Sequence, residues 1–175
     1  MLIFSQFVNL VINYLAMYIL IFTVSTILTA QKETVVFKDY KYRISKKYKP
    51  TVSADKLDMK DEKNKILIET KIVDTEFSKM ETVADKTPSL LTTMFQNYMG
   101  AQNLTLGSVE KKTIADKSVI IMDCTQGAIS GYLAYYEMPD GKTGITVIAK
   151  EDSNIGEEEL ETIFKNIFDV KMTNE

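Results

Sequence analysis

The chain has 175 residues with 21 basic and 24 acidic side chains, a net charge of −3 and no histidine. The nearly balanced charge excludes a broad nucleic-acid-binding surface, and the missing histidine removes the commonest general base and metal ligand. The single cysteine, Cys124, excludes an intrachain disulfide and a cysteine-rich zinc site.

Residues 1–30 contain no Lys, Arg, Asp or Glu, so every charged side chain falls in residues 31–175. An apolar helix of about 20 residues spans a bilayer, and the segment is therefore predicted to be a transmembrane anchor or a signal peptide. Ala30 suits the position before a cleavage site, but Leu28 is bulky for that motif and no basic residue precedes the segment. We expect the segment to remain in the membrane as a single-pass anchor.

The sequence points in two directions about the side of the membrane on which residues 31–175 lie. The positive-inside rule places a basic flank in the cytoplasm, and such a flank is present: Lys32, Lys38, Lys41, Arg43, Lys46, Lys47 and Lys49. The Ala30 junction, and the frequency of lysine in the rest of the chain, favour export. We expect an extracytoplasmic domain, periplasmic or at the cell surface, with a cytoplasm-facing domain as the alternative.

Most of residues 31–175 is predicted to form short antiparallel strands. Alternating and β-branched residues predict strands at 34–37, 40–44, 52–59, 65–73, 103–114, 119–124, 131–138 and 142–150. A basic loop is expected at 46–50, and Lys38-Asp39 is predicted to be a tight turn. Pro139-Asp140-Gly141 predicts a second turn, because proline fixes φ and glycine accepts a positive φ at little cost.

A helix is predicted after Thr87, where the apolar residues change to helical spacing. Thr87 followed by Pro88 is typical of an N-cap and a first helical residue, and Gly100 is a suitable stop. Its apolar stripe consists of Leu90, Leu91, Met94, Phe95, Tyr98 and Met99.

A second helix is predicted near residue 157, capped by Ser153 or Asn154. Three glutamates in its first turn complement the helix dipole, and one apolar stripe runs through Leu160, Ile163, Phe164, Ile167 and Phe168. Strands, a helix, further strands and a last helix predict a single α+β domain, residues 31–175, whose mostly antiparallel sheet is covered by helices.

The sequence contains no chemical motif that predicts an enzyme. It lacks a phosphate-binding glycine loop, a nucleophile elbow and a zinc-protease motif. Carboxylates gather around one polar turn, but without the glycine and spacing of a calcium loop: Asp55, Asp58, Asp61 and Glu62. We expect no catalytic residue, no cofactor and no metal, and we keep a hydrolase with an unrecognised site as a less favoured alternative.

Tyr132, Tyr135 and Tyr136 alternate along one predicted strand, so some of their rings are expected to face outward. Exposed aromatic rings often mark recognition surfaces. These three tyrosines are therefore the predicted interaction surface.

The element order and the segment "GYLAYYEMPDGKTGITVIA", together with a last amphipathic helix ending in Ile167-Phe168, resemble the PsbP-like family. The resemblance covers roughly residues 35–168. It implies an α/β/α sandwich that acts by binding proteins, and it transfers no functional residue. The leading hypothesis is a non-enzymatic, membrane-associated, exported module that binds an unknown protein partner and no nucleic acid; a cytoplasm-facing membrane adaptor or chaperone is the alternative.

Overall fold

The computed structural model describes residues 32–99 and 105–174, which form eleven strands and three helices. The strands are β1 (Lys32–Phe37), β2 (Tyr40–Ser45), β3 (Lys49–Val52), β4 (Leu57–Asp61), β5 (Ile66–Glu76), β6 (Thr105–Leu106), β7 (Glu110–Ile114), β8 (Lys117–Gln126), β9 (Ile129–Glu137), β10 (Lys142–Glu151) and β11 (Val170–Met172). The helices are α1 (Phe77–Lys86), α2 (Pro88–Met99) and α3 (Glu157–Ile167).

Eight strands form a large antiparallel sheet in the order β3-β4-β5-β10-β9-β8-β6, with β7 also paired to β8. Strands β9 and β10 are joined by the predicted turn, in which Gly141 has a φ of 83° and its N–H donates to the carbonyl of Met138. These two strands lie in the middle of the sheet, so neither has a free edge.

A second, three-stranded sheet has the order β1-β2-β11 and is also antiparallel. The predicted turn at Lys38-Asp39 joins β1 to β2, and Lys38 takes the positive φ that such a turn requires. Strand β11 was not predicted, because three residues are too short to give a periodic pattern. We call the three strands the small sheet.

The two faces of the large sheet are covered by different elements. One face packs on the small sheet and on α3, and the buried residues of this first core include Tyr42, Ile68 and Phe164. The opposite face packs on α1 and α2, and this second core includes Phe95 and Leu133. The prediction of an antiparallel sheet flanked by helices is confirmed.

Helix α2 starts at Pro88 as predicted, and the carbonyl of the preceding Thr87 accepts from the N–H of Leu90. Thr87 is also the C-cap of α1, and its N–H donates to the carbonyl of Val83. The sequence did not predict α1, whose Phe77 and Met80 are buried against the sheet. Two helices therefore meet at Thr87, where only one was expected to begin.

Two further details differ from the sequence-based expectation. Strand β3 covers residues 49–52, most of which were expected to belong to the basic loop at 46–50 or to precede the strand predicted at 52–59. A turn separates β3 from β4, so the predicted strand at 52–59 is not continuous. Helix α3 begins after Gly156, and neither Ser153 nor Asn154 caps it through a side chain. The stripe of α3 is packed on the first core as predicted.

The anchor or signal peptide predicted at residues 1–30 lies outside the described residues. Within residues 32–99 and 105–174, none of the helices combines the length and the apolar character needed to cross a bilayer.

Candidate interaction surface

The three tyrosines of the predicted interaction surface do not form one exposed surface. Tyr135 and Tyr136 are both buried, and only Tyr132 keeps a partly exposed ring. The physical reason is the position of β9: it lies between β8 and β10, and both faces of the sheet are covered there. Alternation therefore directs Tyr136 into the first core and Tyr135 into the second.

Tyr136 is a packed residue of the first core. Its ring lies over Gly144 of β10, where a Cβ atom would come within 2.5 Å of the ring carbons. The Thr146 hydroxyl donates to the Tyr136 hydroxyl oxygen over 3.5 Å, and burial raises the pKa of Tyr136 to about 12. Tyr136 therefore stabilises the fold.

An open groove lies on the second face of the large sheet, beyond the area that α1 and α2 cover. Its floor is apolar and is formed by Val147 and Ala149 of β10 and Gly131 of β9, and its rim includes Leu67 of β5 and Ile129 of β9. Phe95 of α2 forms one wall, and the volume is about 370 Å³. We call this the sheet groove.

Strand register explains the shape of the groove floor. Ala149 is paired with Leu67 on one side and with Gly131 on the other. A Cβ atom at Gly131 would lie 1.9 Å from the carbonyl oxygen of Ile148, so only glycine fits. Two small residues side by side leave a depression that none of the three described helices fills.

The rim of the groove exposes large apolar side chains to solvent. Leu67 is 47% exposed and Ile129 is 39% exposed. Single exposed apolar residues are ordinary, but here they border a continuous apolar floor. Binding an apolar segment would remove this area from water and so release free energy.

An ion-pair cluster closes one end of the groove. The Glu69 carboxylate lies 2.9 Å from the Lys56 ammonium and 3.5 Å from that of Lys71. Burial alone would raise the pKa of Glu69, but the hydrogen bond from Lys56 and the two positive charges lower it below its usual value. Glu69 is therefore an ionised, neutralised side chain and cannot act as a general acid near neutral pH.

The cysteine that lines the groove is an unreactive thiol. Cys124 is free and only 8% exposed. Burial, with the nearby charge of Asp123, raises the pKa of the Cys124 thiol to about 11. Because the thiolate is the reactive form, Cys124 has little nucleophilic character at neutral pH.

The four carboxylates that the sequence places around one polar turn are spread from the β3–β4 turn to the β4–β5 turn, and each has a partner. Asp61 accepts from the backbone N–H and the side-chain amide of Asn64. The other three are held by separate groups, Asp55 by the Ser53 hydroxyl, Asp58 by Lys56 and Glu62 by Lys49. In the described ranges, no group of three His, Cys, Asp or Glu side chains is arranged as metal ligands.

The fold has a counterpart among solved structures. The solution structure of cyanobacterial PsbP (CyanoP) from Synechocystis sp. PCC 6803 superposes with a TM-score of 0.53 and covers 81% of this chain and 91% of that one. The fold is PsbP-like. Sequence identity is 8%, so the likeness concerns the fold alone.

No family model matches the sequence. No curated protein matches it either. The structural match confirms the resemblance inferred from element order, for the fold alone. The candidate site rests on the geometry of this chain.

The sequence did not single out the residues of the sheet groove. Leu67, Val147 and Ala149 occur in ordinary alternating strands, whose apolar side chains usually lie beneath a helix. The one available signal is Gly131 in the middle of a strand, since a strand glycine often marks a close backbone approach or a ligand.

Proposed function

We propose that the chain is a non-enzymatic protein-binding module, held at a membrane by residues 1–30, with its domain on the extracytoplasmic side. The observation that carries the binding role is the sheet groove, an apolar floor bordered by the exposed side chains of Leu67 and Ile129. Its size suits an apolar side-chain cluster from a partner.

The titratable groups of the groove support binding over catalysis. Glu69 is neutralised by two lysines, and the Cys124 thiol has a pKa of about 11. A general base or a nucleophile must be present in its reactive form near the working pH. Neither group meets that requirement, whereas an apolar floor with charges at one end suits recognition of a peptide segment.

Photocrosslinking in cells that express the full chain tests the binding role. A photoreactive amino acid at Leu67 is compared with one at Val52, which is equally exposed at 48% but lies on β3, outside the groove. We expect one protein adduct at position 67 and none at position 52. The adduct should disappear when Ile129→Glu places a charge on the groove rim.

Equal adducts at both positions, or an adduct at 67 that persists in Ile129→Glu, would contradict the groove as the binding site. Near-ultraviolet circular dichroism of the purified Ile129→Glu variant is the control for folding. Because Ile129 is partly exposed, we expect the variant to keep the native spectrum.

The membrane side has a competing candidate, a cytoplasm-facing adaptor, which the basic residues of β1 and β2 favour under the positive-inside rule. Reporters fused after residue 175 separate the two. Alkaline phosphatase activity is expected for an extracytoplasmic domain, and fluorescence of a green fluorescent protein for a cytoplasmic one. Carbonate washing of membranes, followed by amino-terminal sequencing, tests whether residues 1–30 are retained.

A further inference from the structure

The small sheet has an outer face that no described element covers. Tyr40, Tyr42 and Ile44 of β2 are buried in the first core, so alternation turns Lys41 and Arg43 outward. Cross-strand pairing places Thr34 opposite Arg43, Val36 opposite Lys41 and, on the other side, Lys171 opposite Lys41. The outer face therefore consists of Lys32, Thr34, Val36, Lys41, Arg43, Asp169 and Lys171.

Positive charge is concentrated on this outer face. Its one carboxylate, on Asp169, is paired with the Lys32 ammonium at 2.6 Å. In the part of the chain that the structure describes, no carboxylate lies within 4.0 Å of the charged groups of the other three basic residues, which are Lys41, Arg43 and Lys171. Lys41 and Lys171 lie directly opposite each other, an arrangement that destabilises a sheet when both carry the same charge.

An exposed apolar residue accompanies these charges. Val36 is 52% exposed and lies beside Lys41 on the outer face. Basic side chains combined with an apolar residue are typical of surfaces that contact lipid headgroups, because the charges meet anionic groups and the apolar atoms enter the interface. A surface evolved only for solvent would not require the opposed lysines.

The chain also enters the domain at this face. A single residue, Gln31, separates the uncharged residues 1–30 from Lys32, the first residue of β1. One residue spans at most about 3.6 Å. A membrane segment that ends at residue 30 therefore brings the small sheet to within a few ångströms of the headgroups.

We propose that the outer face of the small sheet docks on anionic phospholipid headgroups of the bilayer that holds residues 1–30; the inference rests on the membrane attachment proposed above. Lys41, Arg43 and Lys171 face the lipid phosphates, and Val36 lies beside Lys41 at the edge strand of this face. The small sheet and the sheet groove lie on opposite faces of the large sheet. Docking thus turns the groove away from the membrane, where a protein partner has access to it.

The test uses the full chain in lipid nanodiscs made either of phosphatidylcholine or of an equimolar mixture with phosphatidylglycerol. Thr34→Cys, in a Cys124→Ser chain, reports the accessibility of the outer face to a neutral, water-soluble maleimide. We expect labelling to be roughly tenfold slower in the anionic discs, because each basic side chain near an anionic surface is attracted to it. High salt should restore the labelling rate.

Matched variants distinguish the effect of charges on the outer face from the effect of the total charge of the protein. Lys41→Glu/Arg43→Glu/Lys171→Glu should abolish the protection, whereas Lys63→Glu/Lys86→Glu/Lys117→Glu, an equal change at exposed sites elsewhere, should leave it intact. Thr93→Cys on α2 should be labelled at the same rate in both kinds of disc. Circular dichroism controls for the folding of each variant.

Equal labelling of Thr34→Cys in both kinds of disc, or protection that survives the triple charge reversal, would overturn the docking proposal. Protection that requires added cell extract would assign the face to a protein and would overturn it as well. Failure of the chain to enter phosphatidylcholine discs would instead refute the membrane attachment, so the two proposals fail separately.

Discussion

The ring of Phe168 lies against the ring of Tyr136, with centroids 5.1 Å apart and planes inclined by 59°. Phe168 follows α3 directly, and Tyr136 belongs to the middle of the large sheet. Phe164 stacks on Phe168 at 5.0 Å. This series of three rings joins the last helix to the sheet.

The stripe of α3 should therefore be sensitive to truncation. Phe164 is fully buried, so Phe164→Ala should lower the free energy of unfolding by about 3–5 kcal/mol, since transfer and cavity costs add. Glu158→Ala, at an exposed position in the first turn of the same helix, should cost less than about 1 kcal/mol. Urea denaturation measures both; similar losses would show that the stripe is not packed on the sheet.

The burial of Tyr136 predicts a loss of stability at alkaline pH. Its pKa is raised from 10.0 to about 12 in the folded chain, so its contribution is complete below pH 10 and is lost as the pH rises toward 12. This pKa shift corresponds to a loss of roughly 3 kcal/mol in the free energy of unfolding across this pH range. Tyr136→Phe should reduce the pH dependence of the unfolding free energy by about one proton.

Ile163→Val is the control for this measurement, because it is destabilised through the same core but retains every tyrosine. Its pH dependence between pH 10 and 12 should match that of the unchanged protein. An equal reduction in Ile163→Val would mean that destabilisation, and not loss of the phenol, altered the slope.

The thiol of Cys124 should react slowly with maleimides, and the reaction rate should increase as the pH rises. With a pKa of about 11, its thiolate fraction near pH 8 is roughly two orders of magnitude below that of a free cysteine. The rate with a neutral maleimide should increase about tenfold per pH unit until the pKa is approached. The reference is a cysteine at the exposed position 93 on α2, introduced as Thr93→Cys in a Cys124→Ser chain. Equal reaction rates for the two cysteines at pH 8 would contradict the burial of Cys124.

Strand β11 should be necessary for a stable small sheet. A chain that ends after residue 168 loses Val170 and Met172, which pack on the first core, and it exposes the edge of β2. We expect a loss of at least about 2 kcal/mol and a tendency to aggregate through the free edge. Lys171→Ala, an exposed change in the same strand, should have little effect; thermal unfolding and light scattering distinguish the two.

Much of the fold was predictable because local chemistry decides it. Pro139-Asp140-Gly141 and Lys38-Asp39 form the expected turns, and the stripe of α3 has the expected burial. Helix α1 was missed because it spans fewer than three turns, with only Phe77 and Met80 fully buried. Strand β11 depends on pairing with residues more than a hundred positions away, which no local pattern reveals.

The candidate site was less predictable, since burial of a strand on both faces depends on its neighbours. Tyr135 and Tyr136 were expected to include exposed rings, but β9 has strands on both sides and elements above and below it. The nearly continuous apolar run from Gly131 to Tyr136 is typical of such a strand. The sheet groove, in contrast, arises where helices end, and helix packing is a tertiary property.

The position of β1 also determines how the domain would respond to mechanical force. Among the described strands, β1 lies at the edge of the small sheet and pairs with β2 alone, with Lys32 at the open end of the hairpin. A pull transmitted through Lys32, between a fixed anchor and a partner held in the groove, would load the β1–β2 hydrogen bonds one after another. Such unzipping requires less force than shearing all the bonds at once, so β1 would peel away while the large sheet and its groove stay intact.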